Sequence, residues 1–267
     1  MRKIAFALAL AAITGLSQAQ TPPPPVVGPQ AKAPNPKVEA RRAERAAAGT
    51  VSRRTDGATV RIFDLRGGKS ADWAAVATKI QNFCSVAVDS VKSDKGKSST
   101  SLDFGLDAVS DPAVGAAVVI SCDGENRPAL TVLPEDGVAV INADRLSTGL
   151  PAEKGEAVFN ARLEKEIWRS VAFVAGGYVS DYPCVLKAVS KTSDLDAVAQ
   201  MTCPPVNGKV AASAKVFGLA QVQTAPYGVA VAQGWAPAPT NDAQRAIWNR
   251  VKAGKSGNAP TATPPAK

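Results

Sequence analysis

The stretch RLEKEIWRSVAFVAGGYVSDYPCVL, residues 162–186, is the most informative part of the sequence for the fold. Its apolar residues recur at spacings of three and four on one face, namely Leu163, Ile167, Val171, Val174 and Ala175. This period is typical of an amphipathic helix. We predict a helix from about Glu156 to Ala175, ended by the glycines at 176–177, because glycine readily adopts the left-handed backbone that closes a helix.

Two cysteines follow this helix at a defined spacing. Cys184 comes soon after the glycine pair, and Cys203 follows with two prolines directly after it. Eighteen residues separate the two cysteines, and the segment LDAV at 195–198 lies between them.

This order of features resembles the archaemetzincins, a family of zinc metallopeptidases. Their motif is HExxHxxGxxxC, followed by four residues, CM, seventeen residues and CxxC. Lys165 and Glu166 resemble the entry to the family's helix, Gly176 matches the glycine that ends it, and the spacing from Cys184 to Cys203 matches the CM-x17-C segment. The resemblance covers about residues 160–206 and implies a zincin-like α+β fold.

The chain departs from the family at the catalytic positions. In the motif two histidines bind zinc, and the glutamate between them activates the zinc-bound water. Here Arg169 stands at the first histidine, Ser170 at the glutamate and Phe173 at the second histidine, while Gly176 is kept. The third ligand falls in the region of Tyr178 and Val179. The resemblance therefore implies an inactive relative with no catalytic residue, no metal and no cofactor.

The family's second cluster, of four cysteine thiolates, is also incomplete. Ser180 or Asp181 stands at the first of these cysteines, and Val206 takes the place of the last. The resemblance thus implies that the remaining pair, Cys184 and Cys203, forms a disulfide instead of a metal site in an oxidising compartment.

The other two cysteines are Cys84 and Cys122. Cys84 lies on the inward stripe of a predicted helix, and Cys122 ends an apolar run that such a helix would cover. Four cysteines allow three connectivities. We predict Cys84–Cys122 as the second disulfide.

The absence of histidine from all 267 residues excludes several classes of chemistry. A Ser-His-Asp triad, a Cys-His dyad and histidine-ligated zinc or haem all require an imidazole. The net charge is +8, but the densest basic group, at 41–54, lies in a presumed linker and matches no motif that reads nucleic acid. We expect no nucleic-acid partner.

The first nineteen residues have the three regions of a secretory signal peptide. Arg2 and Lys3 are followed by an apolar run to Leu16 and by the small-x-small site at 17–19. No later stretch reaches the length of a transmembrane helix. We expect an exported protein, periplasmic or extracellular, with no membrane span.

Composition divides the remainder into three parts. Residues 20–57 are rich in Pro, Ala and Arg and are predicted to be a flexible tether, with a short helix over 38–48. Residues 58–253 are predicted to form the globular domain. Residues 254–267 are rich in Gly, Pro, Lys and Thr and are predicted to be a disordered tail.

The domain is predicted to be α+β, with helices packed on one mixed sheet. The expected elements are strands at 59–65, 116–122, 129–133 and 138–142, and helices at 70–91, 156–175, 207–217 and from 241 onward.

The binding candidates are few. Arg169 would favour an anionic group, and Trp235, in a Pro-rich segment, either packs on the domain or presents a stacking surface for a ligand such as a sugar. The partner is unknown, with an envelope component or an anionic ligand as candidates. We expect a non-catalytic exported protein with a binding or structural envelope role.

The alternative is a carboxylate-based hydrolase acting on envelope polysaccharide. The candidate pairs for it are Glu164 with Glu166 and Asp194 with Asp196. Residues at i and i+2 of a helix do not face each other, and the aspartates lie in a polar loop typical of a turn, so neither pair is convincing.

Overall fold

The computed structural model describes residues 35–48, 56–182, 184–224 and 227–234, together with 242, 245, 246 and 249. The chain divides into two units, Met1–Asn35 and Pro36–Lys267, and all the elements below belong to the second. The predicted signal peptide and C-terminal tail, and the candidate Trp235, lie outside the described residues.

The second unit contains five strands and seven α-helices among its described residues. In chain order they are α1 (Pro36–Ala48), β1 (Thr59–Asp64), α2 (Ala74–Cys84), β2 (Val88–Lys92), α3 (Ser101–Ala108), β3 (Val114–Ser121), β4 (Leu130–Leu133), β5 (Val138–Asn142), α4 (Ala143–Leu146), α5 (Gly155–Val174), α6 (Pro204–Val216) and α7 (Tyr227–Ala232).

The strands form one mixed sheet in the order β2-β1-β3-β5-β4. Strands β2, β1, β3 and β5 are parallel to one another, and β4 pairs antiparallel with β5 at the edge. The chain moves from β1 outward to β2 and then returns past β1 to β3. The predicted α+β fold with a mixed sheet is therefore confirmed.

The two faces of the sheet carry different cores because successive side chains of a strand point to opposite faces. In β3, Val118 and Ile120 join a core formed with α2, α5 and α6, while Val119 joins a second core beneath α3. All eight residues of β3 are buried, as expected of a central parallel strand.

The helix predicted for residues 70–91 is wrong at both ends. It begins at Ala74 and ends at Cys84, because Ser85 has a left-handed backbone with φ of 56°. Val91, at the end of the predicted range, lies in β2, where it pairs with Phe63 of β1. Parallel pairing over a long chain distance overrides the local helical period here.

The helix α3 was missed from the sequence. Its interior Gly105 disfavours a helix by propensity. In the fold a Cβ at this position would lie 2.6 Å from Cγ1 of Val138. Glycine therefore lets α3 approach the sheet closely.

The short helix expected in the linker is present as α1, and it contacts the domain. Val38 is buried in the core beneath α3. Lys37 forms an ion pair with Asp107 at 2.8 Å, and Arg41 donates to the backbone oxygen of Leu106 at 2.7 Å. This part of the proposed tether thus packs against α3.

None of the described helices is both long enough and apolar enough to cross a lipid bilayer. The fourth helix predicted from 241 falls mostly outside the described residues.

Candidate functional site

The helix that carries the family resemblance is α5, and it ends where the sequence predicts. Its last residue is Val174, and Gly176 follows with φ of 91°. A Cβ on Gly176 would lie 2.6 Å from Cβ of Ser213 in α6. The glycine is therefore required twice, by the backbone turn and by the close approach of α6.

Arg169 is buried and forms three hydrogen bonds within the protein. Its Nη1 donates to the backbone oxygens of Val185 and Lys187 at 2.7 and 2.8 Å, and its Nε donates to Glu166 at 3.2 Å. The ring of Phe173 lies 5.4 Å from the guanidinium carbon. The candidate anion-binding residue thus ties α5 to the segment that follows it.

Two further cations of α5 also bind the segment that follows the helix. Arg162 forms a bidentate pair with Asp196 at 2.7 and 2.8 Å, and Lys165 donates to the backbone oxygen of Leu195 at 2.7 Å. With Arg169 they lie at i, i+3 and i+7, and so on one face of the helix. This basic face of α5, defined as residues 162, 165 and 169, anchors residues 185–196.

Glu166 is the acidic partner that a buried Arg169 requires. Burial raises the pKa of Glu166 to about 7, although the charge and the hydrogen bond of Arg169 act to lower it. Ser170 is fully buried, and its hydroxyl has no hydrogen-bond partner among the described residues.

The residues after Gly176 do not gather around Arg169. Tyr178 and Val179 are both more than half exposed, and Tyr178 accepts a hydrogen bond from Lys209. Ser180 and Val206 are buried. Within the described ranges, no three His, Cys, Asp or Glu side chains lie together as a metal site.

The residues at the motif positions do not fit zinc. A catalytic zinc site needs three N, S or O ligands and an open position. Arg169 supplies a permanent cation, Phe173 supplies an apolar ring and Ser170 is buried without access to solvent.

The cysteines are free thiols in the structure. Cys184 and Cys203 are adjacent. The pKa of Cys203 is raised, first by burial and also by the hydrogen bond and charge of Cys184. The predicted disulfide between these two is not formed in the structure.

The Cys84–Cys122 pairing is wrong. Cys84 ends α2 at the amino edge of the sheet and is close to Thr202, with 3.8 Å between Sγ and Oγ1. Cys122 directly follows β3 at the carboxyl edge. The edges are separated by the length of β1, roughly 20 Å for six residues, whereas a disulfide needs Cα atoms within about 7 Å.

The carboxylate pairs proposed from the sequence have structural partners. Glu164 pairs with Lys79 at 3.1 Å, and Glu166 and Asp196 pair with arginines of the basic face of α5. Asp194 accepts from the backbone nitrogens of Ser190 and Lys191.

A cavity that the sequence does not predict lies at the carboxyl edge of the sheet. It has a volume of about 500 Å³ and is lined by residues that follow three parallel strands. Arg66 and Lys69 follow β1, Cys122 follows β3, and Asp144 follows β5; Glu156 and Phe159 come from the first turns of α5. We call this the carboxyl-edge cavity.

Asp64, at the end of β1, organises one wall of this cavity. It is fully buried and accepts from Arg66 Nη2 at 2.7 Å, from Trp73 Nε1 at 2.9 Å and from the nitrogen of Ala71 at 3.0 Å. Burial raises the pKa of Asp64, but the hydrogen bonds outweigh it and lower the pKa to about 2. An ionised Asp64 therefore fixes the loop that carries Arg66 and Lys69.

Comparison with known proteins finds similarity only among solved structures. No family model matches the chain, and no curated protein matches it. Three solved structures are similar in fold. A zinc-dependent peptidase from Methanocorpusculum labreanum has a TM-score of 0.45 and 12% identity, covering 57% of this chain and 99% of that one.

The other two structures are archaemetzincins. The protein from Methanopyrus kandleri has a TM-score of 0.41 and 14% identity, covering 60% of this chain and 96% of that one. The protein from Archaeoglobus fulgidus, solved with malonate, has a TM-score of 0.40 and 16% identity, covering 57% and 99%.

Proposed function

We propose that this protein is an exported, non-catalytic protein on a metallopeptidase-like scaffold, with a binding or structural role in the cell envelope. One observation carries the proposal. At the motif's first ligand position, Arg169 is buried and bonded to Glu166 and to the backbone oxygens of residues 185 and 187. These contacts use the basic group for packing and leave no side chain there that binds zinc.

The chemistry of the neighbouring positions supports the same proposal. The hydroxyl of Ser170 is not a base at neutral pH without a basic partner, and it has none among the described residues. The proposed periplasmic or extracellular location rests on the signal-like residues 1–19.

The test combines metal analysis with a broad digestion assay. The protein purified after export, incubated with zinc and dialysed, is expected to retain no stoichiometric zinc and to leave casein and a peptide library intact. An active zinc peptidase run in parallel is the control. Stoichiometric zinc together with chelator-sensitive cleavage would overturn the proposal.

A second candidate function, a carboxylate-based hydrolase of envelope polysaccharide, is favoured by one observation. Asp144 and Glu156 both line the carboxyl-edge cavity, although they belong to different helices. Glycoside hydrolysis uses a pair of carboxyl groups flanking one bond. The test is release of reducing ends from cell-wall polysaccharide, lost in Glu156→Gln and kept in Glu153→Gln, which changes an exposed glutamate outside the cavity.

A further inference from the structure

The carboxyl-edge cavity has the position and size of a small-molecule site. Parallel sheets bind ligands outside the carboxyl ends of their strands, at the point where the winding direction reverses. Here the chain winds from β1 to β2 in one direction and to β3 and β5 in the other, so the reversal lies at β1 and β3. The volume of about 500 Å³ falls within the range of ligand pockets.

The charges of the cavity are separated by sign. The cations, Arg66 and Lys69, belong to the loop after β1, and the carboxylates, Asp144 and Glu156, belong to α4 and α5 beyond β5. Strands β1 and β5 are two positions apart in the sheet, which is about 10 Å. A ligand that bonds both groups must therefore carry opposite charges a few ångströms apart.

Cys122 lies between the cations and the carboxylates, because it follows β3, the strand between β1 and β5. The pKa of its thiol is raised, first by burial and then by Asp144, while Arg66 and Lys69 act to lower it. The thiol is exposed and therefore reports on the occupancy of the cavity.

The two cations are not equivalent. Arg66 donates Nε and Nη2 to Asp64, which balances its charge and leaves Nη1 as its remaining donor. Lys69 forms no ion pair with the described residues and is exposed. Lys69 therefore supplies the net positive charge for the anionic end of a ligand.

The end of the cavity that carries Asp144 and Glu156 attracts a cation, although the amino terminus of α5 lies there and is itself partly positive. A helix amino terminus carries about half a positive charge. Asp144 and Glu156 each carry a full negative charge, so the local balance is negative. Phe159 and Leu150 supply apolar surface for the remainder of a ligand.

We propose that the carboxyl-edge cavity binds a small zwitterion of the size of an amino acid or dipeptide. Its carboxylate lies toward Lys69 and Arg66, its ammonium group toward Asp144 and Glu156, and its apolar part against Phe159. This inference deepens the proposed binding role and rests on it, but it does not involve the motif positions of α5.

The probes are L-leucine and the dipeptide L-alanyl-L-leucine, titrated into the reduced full-length protein by calorimetry. Two capped probes test each end separately: N-acetyl-L-leucine lacks the cation, and L-leucine amide lacks the anion. We expect each cap to weaken binding by about tenfold or more, because each removes a charge-assisted contact.

The variants test the same two ends from the protein side. Lys69→Met is expected to weaken leucine more than leucine amide, and Glu156→Gln is expected to weaken leucine more than N-acetyl-leucine. The matched controls, Lys97→Met and Glu153→Gln, change exposed side chains outside the cavity and are expected to leave binding unchanged.

Labelling of Cys122 with a maleimide locates the ligand. Leucine is expected to slow labelling of Cys122, and Cys122→Ser is expected to bind leucine normally. Equal affinity for leucine and its capped forms, or labelling that leucine does not slow, would overturn the inference, as would binding of a neutral sugar in place of the amino acid. These results do not bear on zinc content or peptide cleavage, so the two proposals fail separately.

Discussion

Arg169 and Glu166 form an ion pair within α5, with 3.2 Å between Nε and Oε2, and both side chains are at least nine-tenths buried. The guanidinium also donates to two backbone oxygens, whereas the carboxylate accepts no second hydrogen bond from the residues that the structure describes. The pair is therefore unequal: the arginine is well satisfied, and the glutamate is strained by its loss of water.

The first prediction concerns pH. The pKa of Glu166 is raised from its usual value of 4.5 to about 7, so the folded state binds a proton more readily than the unfolded state. The free energy of unfolding is expected to rise as the pH falls from about 7 to about 4.5, by about 1.4 kcal/mol for each unit of the shift. Below that range the contribution is complete.

Urea unfolding across this pH range, compared between the wild type and Glu166→Gln, measures the effect. The variant is expected to lose this part of the pH dependence. Glu164→Gln, on the same helix but only partly buried, is the control and is expected to keep it. An unchanged slope in Glu166→Gln would contradict the assignment.

The second prediction concerns the removal of Arg169. In Arg169→Met the carboxylate of Glu166 and the backbone oxygens of Val185 and Lys187 lose their donor. Breaking a buried pair in this way costs about 3–5 kcal/mol. Thermal or urea unfolding checks the value.

The double variant Glu166→Leu with Arg169→Met separates charge from packing. It is expected to be more stable than Arg169→Met alone, because no buried carboxyl group is left without a partner. A double variant as unstable as the single one would show that the lost contacts to residues 185 and 187 account for the whole effect.

The third prediction concerns the cysteines. Under oxidising conditions Cys184 and Cys203 are expected to form a disulfide, which stabilises the fold by about 2–4 kcal/mol. Cys122 is expected to remain a free thiol, since the described structure places it at the other edge of the sheet from Cys84.

Peptide mapping without reduction identifies the pairing, and unfolding with and without reductant measures the stabilisation. Cys203→Ser is the control and is expected to show no effect of reductant. A peptide joining Cys84 to Cys203 would contradict the prediction, and it is the informative alternative because Cys84 lies beside Thr202.

The fourth prediction concerns the docking of α1. Val38 buries its side chain beneath α3, and burying a valine contributes about 1.5–3 kcal/mol. Val38→Asp is expected to release the helix and to speed tryptic cleavage after Arg41 by about tenfold or more. Ala43→Asp, on an exposed position of the same helix, is the control. Equal cleavage rates in the two variants would show that Val38 does not hold α1 in place.

The sequence by itself determined the features that depend on residues close together in the chain. The spacing of Leu163, Ile167 and Val171 determines α5, because a helix repeats every 3.6 residues. The turn at Gly176 follows from a backbone conformation that glycine adopts easily. The apolar runs of β3 and β5 likewise predict buried strands.

Only the tertiary structure decided which distant groups meet. Helix α2 ends at Cys84, and the chain then enters β2, which pairs in parallel with β1. This arrangement separates Cys84 from Cys122, and it depends on pairing partners that are far apart in the sequence. The same parallel arrangement brings residues after β1, β3 and β5 into one cavity, with Lys69 and Asp144 at its two sides. No local period encodes such a meeting, since it depends on the order of the strands in the sheet.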